Sequence, residues 1–410
     1  MLTPLSRPTP ARILTLLAVA ELLGMSPWFA ASALGPQLAA RWSLSAEQTA
    51  SLTSIVQLGF VAGTAVIAIF NLADVLVTRF LFAACALGAA IANLCLLAAP
   101  AYAPALTTRF ATGFFLAGVY PPTMKMMATW FRERRGLAIG TLIGALTIGK
   151  ATPYLVKVLG GAHVESVVFL TSGAALIAGA FVAAIYREGP FPFPRRPFDW
   201  GLAGVVVRDR QTRLAIGGYL GHMWEIYAMW TWLPAFLAAS FALGAPTSWS
   251  GEHVSNVAGW LAFGAIAIGG LGCVWGGWAA ARMGYVRVVT LSMAVSAACS
   301  MLIGFLFGLS PWLVAAVAWV WGFFVVADSA QFSSMVTEVA PPHAVGTALT
   351  LQTSMGFLLT TATIQLVPVL AQSWGWRWAF PVLALGPAIG IPVVAGWRGP
   401  TPAPADNGQR

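Results

Sequence analysis

Glu21-Leu-Leu-Gly-Met25-Ser-Pro-Trp28 returns 204 residues later as Glu225-Ile-Tyr-Ala-Met229-Trp-Thr-Trp232. Each copy lies near the middle of a long apolar run. A second pair repeats at a similar offset: Gly113-Phe-Phe followed by Met126, and Gly322-Phe-Phe followed by Met335, both 209 residues apart. Self-similarity at a fixed period marks a duplicated unit. Around these anchors lie apolar runs at 12–35, 49–70, 79–99, 105–130, 136–158 and 165–186. Six more follow at 214–238, 255–280, 286–308, 311–337, 345–371 and 377–396. Each is close to the roughly 20 residues that a helix needs to cross the hydrocarbon core. The expected architecture is an all-α membrane protein of twelve transmembrane helices, arranged as two pseudo-symmetric six-helix bundles.

The bundles are expected at 1–186 and 214–398. A linker at 187–213, rich in Pro and Arg (Phe191-Pro-Phe-Pro-Arg-Arg-Pro), joins them, and 399–410 reads as a disordered tail. The segment up to Arg12 reads as disordered or surface-lying. Of the 410 residues, 59% are hydrophobic and 9% charged, against about 25% charged in a soluble domain. The net charge of +9 suggests nucleic acid until its distribution is examined. Of 22 basic residues, 16 fall in one alternating set of loops: Arg7, Arg12, Arg79, Arg132, Arg134, Arg135, Arg187, Arg195, Arg196, Arg208, Arg210, Arg213, Arg282, Arg287, Arg398 and Arg410. The opposite set holds Arg41, Arg109, Lys157 and Arg377. This positive-inside bias places both termini in the cytoplasm and argues against a nucleic-acid partner. Cys85, Cys95, Cys273 and Cys299 all lie in apolar runs at no ligand spacing and read as packing residues.

Between helices 2 and 3 of the second half stands Gly277-Trp-Ala-Ala-Ala-Arg282-Met-Gly284-Tyr-Val-Arg287. The first half keeps only Leu72-Ala73-Asp74 and a later Arg79, without the glycines. On these residues the chain resembles the major facilitator superfamily over nearly all its length. The stretch from Arg109 through Gly113, Pro121, Trp130-Phe131 and Arg135-Gly136 to Gly140 and Gly144 looks like the helix 4–5 region of members that carry organic or inorganic anions. The resemblance implies a central cavity lined by helices 1, 4, 7 and 10. It also implies a gate at Asp74, Arg79, Gly277, Arg282, Gly284 and Arg287.

Charges inside a bilayer are costly, roughly 2.5–3.5 kcal/mol or more at a helix centre, and default to functional hypotheses. Here they are Glu21, Lys125, Lys150, Glu225 and Asp328. The three lysines (Lys125, Lys150, Lys157) stand against nineteen arginines, so an intramembrane lysine is an unusual choice. Its compact charge suits an anion, although a structural pair of Glu21 with Lys125 or Lys150 would equally satisfy it. Lys125 and Lys150 differ in depth by about 13 Å, which favours Lys150, with Tyr154 one turn away, as the substrate contact. Lys125, Tyr120, Trp28 and Trp224 complete the candidate binding set. Lys157, near its span end, is expected to snorkel.

His222 and Glu225 share a helix face at i, i+3. Together they suit proton uptake and release, or the histidine merely orients the carboxyl. Glu21 and Asp328 are further proton candidates, the latter sharing a face with Gln331. Tyr227 is a further aromatic candidate for shaping a substrate pocket, the alternative for such residues near span ends being an interfacial belt. Pro121-Pro122 is expected to kink span 4. Met25, Met124, Met126, Met127, Met223 and Met229 are soft donors suited to copper(I), but no Cys or His joins them at ligand spacing, and no metal or cofactor is expected. There is no G-x-x-x-x-G-K-[ST] loop and no catalytic motif. The reading is a monomeric inner-membrane secondary transporter, not an enzyme, moving a small organic anion with protons by alternating access. Alternatives are proton-driven efflux of hydrophobic or cationic compounds, inorganic-anion or copper transport, and a non-transporting sensor or assembly factor.

Overall fold

The computed structural model describes residues 9–131, 135–160, 163–191, 200–341 and 344–399. Among these, nine helices are long and apolar enough to cross a membrane by length and composition. The other three passes are short or broken. Span 1 runs as Pro10–Gly24 and Ala30–Ala33, span 3 as Thr78–Leu94, and span 4 as Tyr102–Leu116 and Tyr120–Ala128. The remaining first-half passes are Ala46–Ile69 (span 2), Arg135–Leu159 (span 5) and Val164–Ile185 (span 6). The second half comprises Arg210–Gly244 (span 7), Gly251–Ala267 with Gly269–Met283 (span 8) and Tyr285–Phe305 (span 9). Pro311–Ala327 with Ser329–Val339 (span 10), Val345–Trp374 (span 11) and Trp376–Ala379 through Leu385–Ala395 (span 12) complete it.

Twelve passes return Thr9 and Gly399 to one face, here the terminal face; the other is the far face. The expected boundaries need several corrections. The first helix starts at Pro10 under a Thr9 cap, so Arg12 belongs to a helix. Span 7 starts at Arg210 and extends to Gly244, and a helix at Trp200–Arg208 lies within the expected linker. A further helix, Gly35–Trp42, follows span 1. Residues 1–8 with Arg7, the linker prolines with Arg195 and Arg196, Arg132, Arg134 and the tail from 400 with Arg410 lie outside the described residues.

The duplication is visible in packing. A Cβ on Gly113 would lie 2.0 Å from the Val56 carbonyl oxygen, and one on Gly322 would lie 1.7 Å from that of Ala265. A Cβ on Gly63 would lie 2.2 Å from the Phe114 oxygen, and one on Gly272 2.2 Å from the Phe323 oxygen. All four correspondences (56 to 265, 63 to 272, 113 to 322, 114 to 323) carry the offset of 209 seen in the sequence. Spans 2 and 4 therefore cross as spans 8 and 10 do. Backbones come this close only where no side chain intervenes.

The halves meet through spans 5 and 8 near the terminal face. A Cβ on Gly144 would lie 2.7 Å from the Gly270 oxygen, one on Gly140 3.0 Å from that of Cys273, and one on Gly277 3.1 Å from that of Gly136. Backbone contact at three successive turns leaves no gap between these two helices. Toward the far face, spans 2 and 11 touch where Ser51 Oγ lies 2.7 Å from the Gln365 amide.

Candidate functional site

The break in span 1 builds the centre of the molecule. Residues 25–29 leave the helical ladder between Gly24 and Ala30, freeing carbonyls that must find donors in an apolar interior. Arg109 supplies them. Its Nη2 donates to the carbonyls of Pro27 at 3.1 Å and Trp28 at 2.6 Å, and its Nη1 to Asn93 Oδ1 at 2.9 Å. Asn93 in turn donates to Thr171 Oγ1 and Ser172 Oγ on span 6. Ser26 Oγ, inside the break, donates to the Thr171 carbonyl at 3.1 Å. Arg109 is thus fully buried and not in a loop, which corrects its placement in the far-face set.

Span 5 crosses span 1 at Gly149, whose Cβ would meet the Leu22 carbonyl oxygen at 2.2 Å. That contact brings the helices that carry Glu21 and Lys150 together, and the two charges attract each other without an ion pair within 4.0 Å. Lys150 is 1% exposed. Its Nζ lies 3.9 Å from the ring centroid of Trp28, 4.7 Å from Tyr227, 5.7 Å from Phe357 and 5.9 Å from Trp230. It also donates to the Tyr227 hydroxyl, the only hydrogen bond it makes among the described residues, though an ammonium has three donors. Cation–π contacts return about 0.5–2 kcal/mol each, against several kcal/mol to bury the ion. Glu21 supplies the opposite charge, and among the described residues neither of its oxygens has a hydrogen-bond partner; the adjacent Thr123 hydroxyl donates to the Val119 carbonyl. The arrangement can receive an anion at Lys150.

A cavity of about 60 Å³ adjoins Lys150, lined by Tyr120, Thr147, Tyr219, His222, Tyr227 and Ser329 among others. On its second-half wall, His222 Nδ1 lies 3.0 Å from Asp328 Oδ1 and His222 Nε2 lies 2.9 Å from Ser329 Oγ. Asp328 occupies the break in span 10, which brings its carboxyl back against span 7. The expected His222–Glu225 pair is therefore corrected: His222 pairs with Asp328. Glu225 instead accepts from Ser296 Oγ at 2.5 Å and Trp321 Nε1 at 2.7 Å, between spans 9 and 10 and off the cavity wall. Gln331 donates back across the same break to the Ala327 carbonyl.

Other expected binding residues are distributed differently. Trp28, Tyr120 and Tyr154 lie at the centre, and Tyr154 donates to the Trp230 carbonyl at 3.0 Å across the two halves. Trp224 turns away, donating to the Val382 carbonyl on span 12. Lys125 pairs with Asp74 and the Ala73 carbonyl near the terminal face, so the expected substrate lysine and gate aspartate satisfy each other. Arg79 donates to the Tyr186 carbonyl at 3.3 Å. Arg282 stacks on Trp278 at 3.9 Å, and Arg287 is exposed. Gly284 turns between spans 8 and 9 at φ +83°, where a side chain would be strained. The sequence repeat has diverged in use: Trp28 faces Lys150, whereas Trp232 donates to the Ile364 carbonyl. Sequence reasoning missed Arg109, Asn93, Trp230 and Phe357; a charge seven residues inside the Tyr102–Leu116 helix was the available signal for the first.

The family model described as Major Facilitator Superfamily matches residues 16–358. No curated protein matches the sequence. Among solved structures, the nucleoside transporter NupG is similar with a TM-score of 0.67 and 15% identity over 94% of this chain and 99% of that one. A bacterial homolog of the human lysosomal transporter Spinster, in an inward-facing and occupied conformation, gives 0.68 and 16%, covering 95% and 97%. The human organic anion transporter MFSD10 (TETRAN) gives 0.66 and 14%, covering 95% and 100%. These identities speak for the fold alone; the family match, the twelve passes and the duplicated packing together make this chain a member of the Major Facilitator Superfamily, a membrane transporter and not an enzyme.

Proposed function

We propose that the protein carries a small organic anion, together with a proton, across the inner membrane by alternating access, as a monomer with both termini in the cytoplasm. The observation that carries this reading is Lys150: a buried ammonium at the junction of the halves, short of donors' partners and ringed by aromatic side chains. A carboxylate at Lys150 displaces the Tyr227 hydroxyl and takes over as counter-charge. Glu21 is then released from that role and can hold the proton, so that anion and proton cross as a neutral set. The rings of Trp28, Tyr227, Trp230 and Phe357 offer apolar faces to the body of the solute. His222 with Asp328 gives a second proton-holding pair on the same cavity wall. The anion-transporting neighbour MFSD10 is in keeping with this reading.

Closure follows from the two contact zones. The glycine contacts of spans 5 and 8 hold the halves together toward the terminal face, and in this reading rocking the halves apart there while closing the far face would expose Lys150 to the cytoplasm. The test is uptake into proteoliposomes of labelled acetate, lactate and benzoate, with and without an inward proton gradient. Wild type is expected to accumulate at least one of them under the gradient, and Lys150→Ala to abolish this. Equal uptake by Lys150→Ala, or accumulation of an organic cation instead, would sink the reading.

A further inference from the structure

On the far face a second cavity, about 390 Å³, opens between the halves. Ser255 and Asn256 are exposed at its mouth, and Tyr154 lies at its inner end. Lys157 is the one charged side chain among its lining residues. Among the described residues it makes no ion pair or hydrogen bond. Thr53 and Thr231 also line it, from span 2 and span 7, with their hydroxyls bonded to Ser32 Oγ and to the Tyr227 carbonyl.

Lys150, Tyr154 and Lys157 follow at i, i+4 and i+7 on one face of span 5, with the two ammonium-bearing residues about 10 Å apart along the axis. Between them stands an aromatic layer. Tyr154 is bonded to the Trp230 carbonyl, and Phe29 packs on Tyr154, Tyr227 and Trp230 with centroids 6.1–6.2 Å apart. Size then decides where a solute can sit in this conformation. The inner cavity of about 60 Å³ holds roughly two waters, whereas the outer one falls within the usual range of ligand pockets, about 300–1,000 Å³.

We infer that the outer cleft is a receiving site for the transported organic anion, with Lys157 as its charged contact. The anion passes to Lys150 when the Tyr154–Trp230 contact parts. This inference rests on the organic-anion reading above. A lone positive charge in a low-dielectric cleft raises the local concentration of anions, an effect that salt screens.

The experiment is uptake of the same labelled monocarboxylates from the far face. Lys157→Gln is expected to raise KM about 10-fold with kcat within about twofold, and to flatten the dependence of KM on salt. Lys157→Arg restores both. Binding is read separately from Asn256→Cys, with the four native cysteines replaced by Ala, by its rate of maleimide labelling. The transported anion slows labelling in a Lys150→Gln background and fails to do so with Lys157→Gln. Unchanged KM in Lys157→Gln, or protection that survives Lys157→Gln, overturns the receiving site while leaving the anion reading intact. If wild type takes up no monocarboxylate, the anion reading falls and the receiving site with it.

Discussion

Arg109 donates to the carbonyl of Trp28 at 2.6 Å, and the ring of that same Trp28 lies 3.9 Å from the Lys150 ammonium. The binding charge and the charge that shapes its cage are thus one residue apart in the chain of contacts. Arg109 needs no carboxylate because an interrupted helix offers it carbonyls, and the interrupted helix needs Arg109 for the same reason.

Arg109→Ala is therefore expected to be among the most damaging single changes in the first half. It strands the Trp28 carbonyl and the Asn93 oxygen, while the Pro27 carbonyl keeps the Ala30 N–H at 3.3 Å. At about 1–3 kcal/mol for each buried acceptor left unpaired, the loss is roughly 2 kcal/mol or more. Arg109→Lys retains the charge without the planar fork and should fall between. Thermal unfolding of purified protein measures this; a midpoint for Arg109→Ala equal to wild type would show that the break in span 1 holds without it.

Tyr227→Phe probes the cage itself. It removes the only hydrogen bond to Lys150 among the described residues while preserving the ring 4.7 Å away. The resting state should lose about 1–3 kcal/mol, and the loss is replaced once an anion occupies Lys150. Substrate should consequently raise the thermal midpoint more in Tyr227→Phe than in wild type. Trp28→Leu, which removes the nearest ring, should weaken uptake at least about 10-fold. An identical substrate-induced shift in wild type and Tyr227→Phe would argue that the hydroxyl is not displaced on binding.

Much of the fold was legible because its determinants are local and repeated: apolar runs of membrane length, and glycines whose 209-residue offset is kept where the backbones cross. Pairing of the buried charges was not. His222 and Glu225 lie on one helix face, but the face is broad enough to meet two neighbours, and the break at Asp328 delivers a carboxyl to the histidine. Glu225 then goes to Ser296 and Trp321. Lys125 is separated from Lys150 by depth, yet its partner Asp74, on the turn after span 2, was not legible. Helical spacing says which residues neighbour one another on a helix; the partner across the gap depends on rotation and on helix breaks that no single window of sequence encodes.

Gly144→Val tests the closed terminal face. Its Cβ would meet the backbone oxygen of Gly270 at 2.7 Å, and backbone on both sides cannot yield as a flexible side chain can. The halves should separate there. Spin labels at the exposed Leu137 and Met283, near the terminal ends of spans 5 and 8, are expected to move apart in Gly144→Val, and far-face labelling of Asn256→Cys to slow. An unchanged distance distribution would mean that this contact does not set the resting conformation.

The carboxyls divide the proton coupling in a way that exchange assays separate. Uptake driven by a proton gradient requires a site that is loaded on one face and emptied on the other, whereas exchange of labelled for unlabelled anion at equal pH does not. With protons entering alongside the anion, uptake should rise as external pH falls below internal pH and reverse when the gradient is reversed. Glu21→Gln removes the carboxyl that stands opposite Lys150 and should abolish the stimulation while leaving exchange largely intact. Asp328→Asn removes the carboxylate that His222 meets at 3.0 Å and should weaken the stimulation by the proton gradient without abolishing exchange. Glu225→Gln, off the cavity wall and held by Ser296 and Trp321, should lower stability more than it alters coupling. If Glu225→Gln alone uncouples uptake while Glu21→Gln behaves as wild type, the proton is carried between spans 7, 9 and 10, and the charge exchange at Lys150 is not the coupling step.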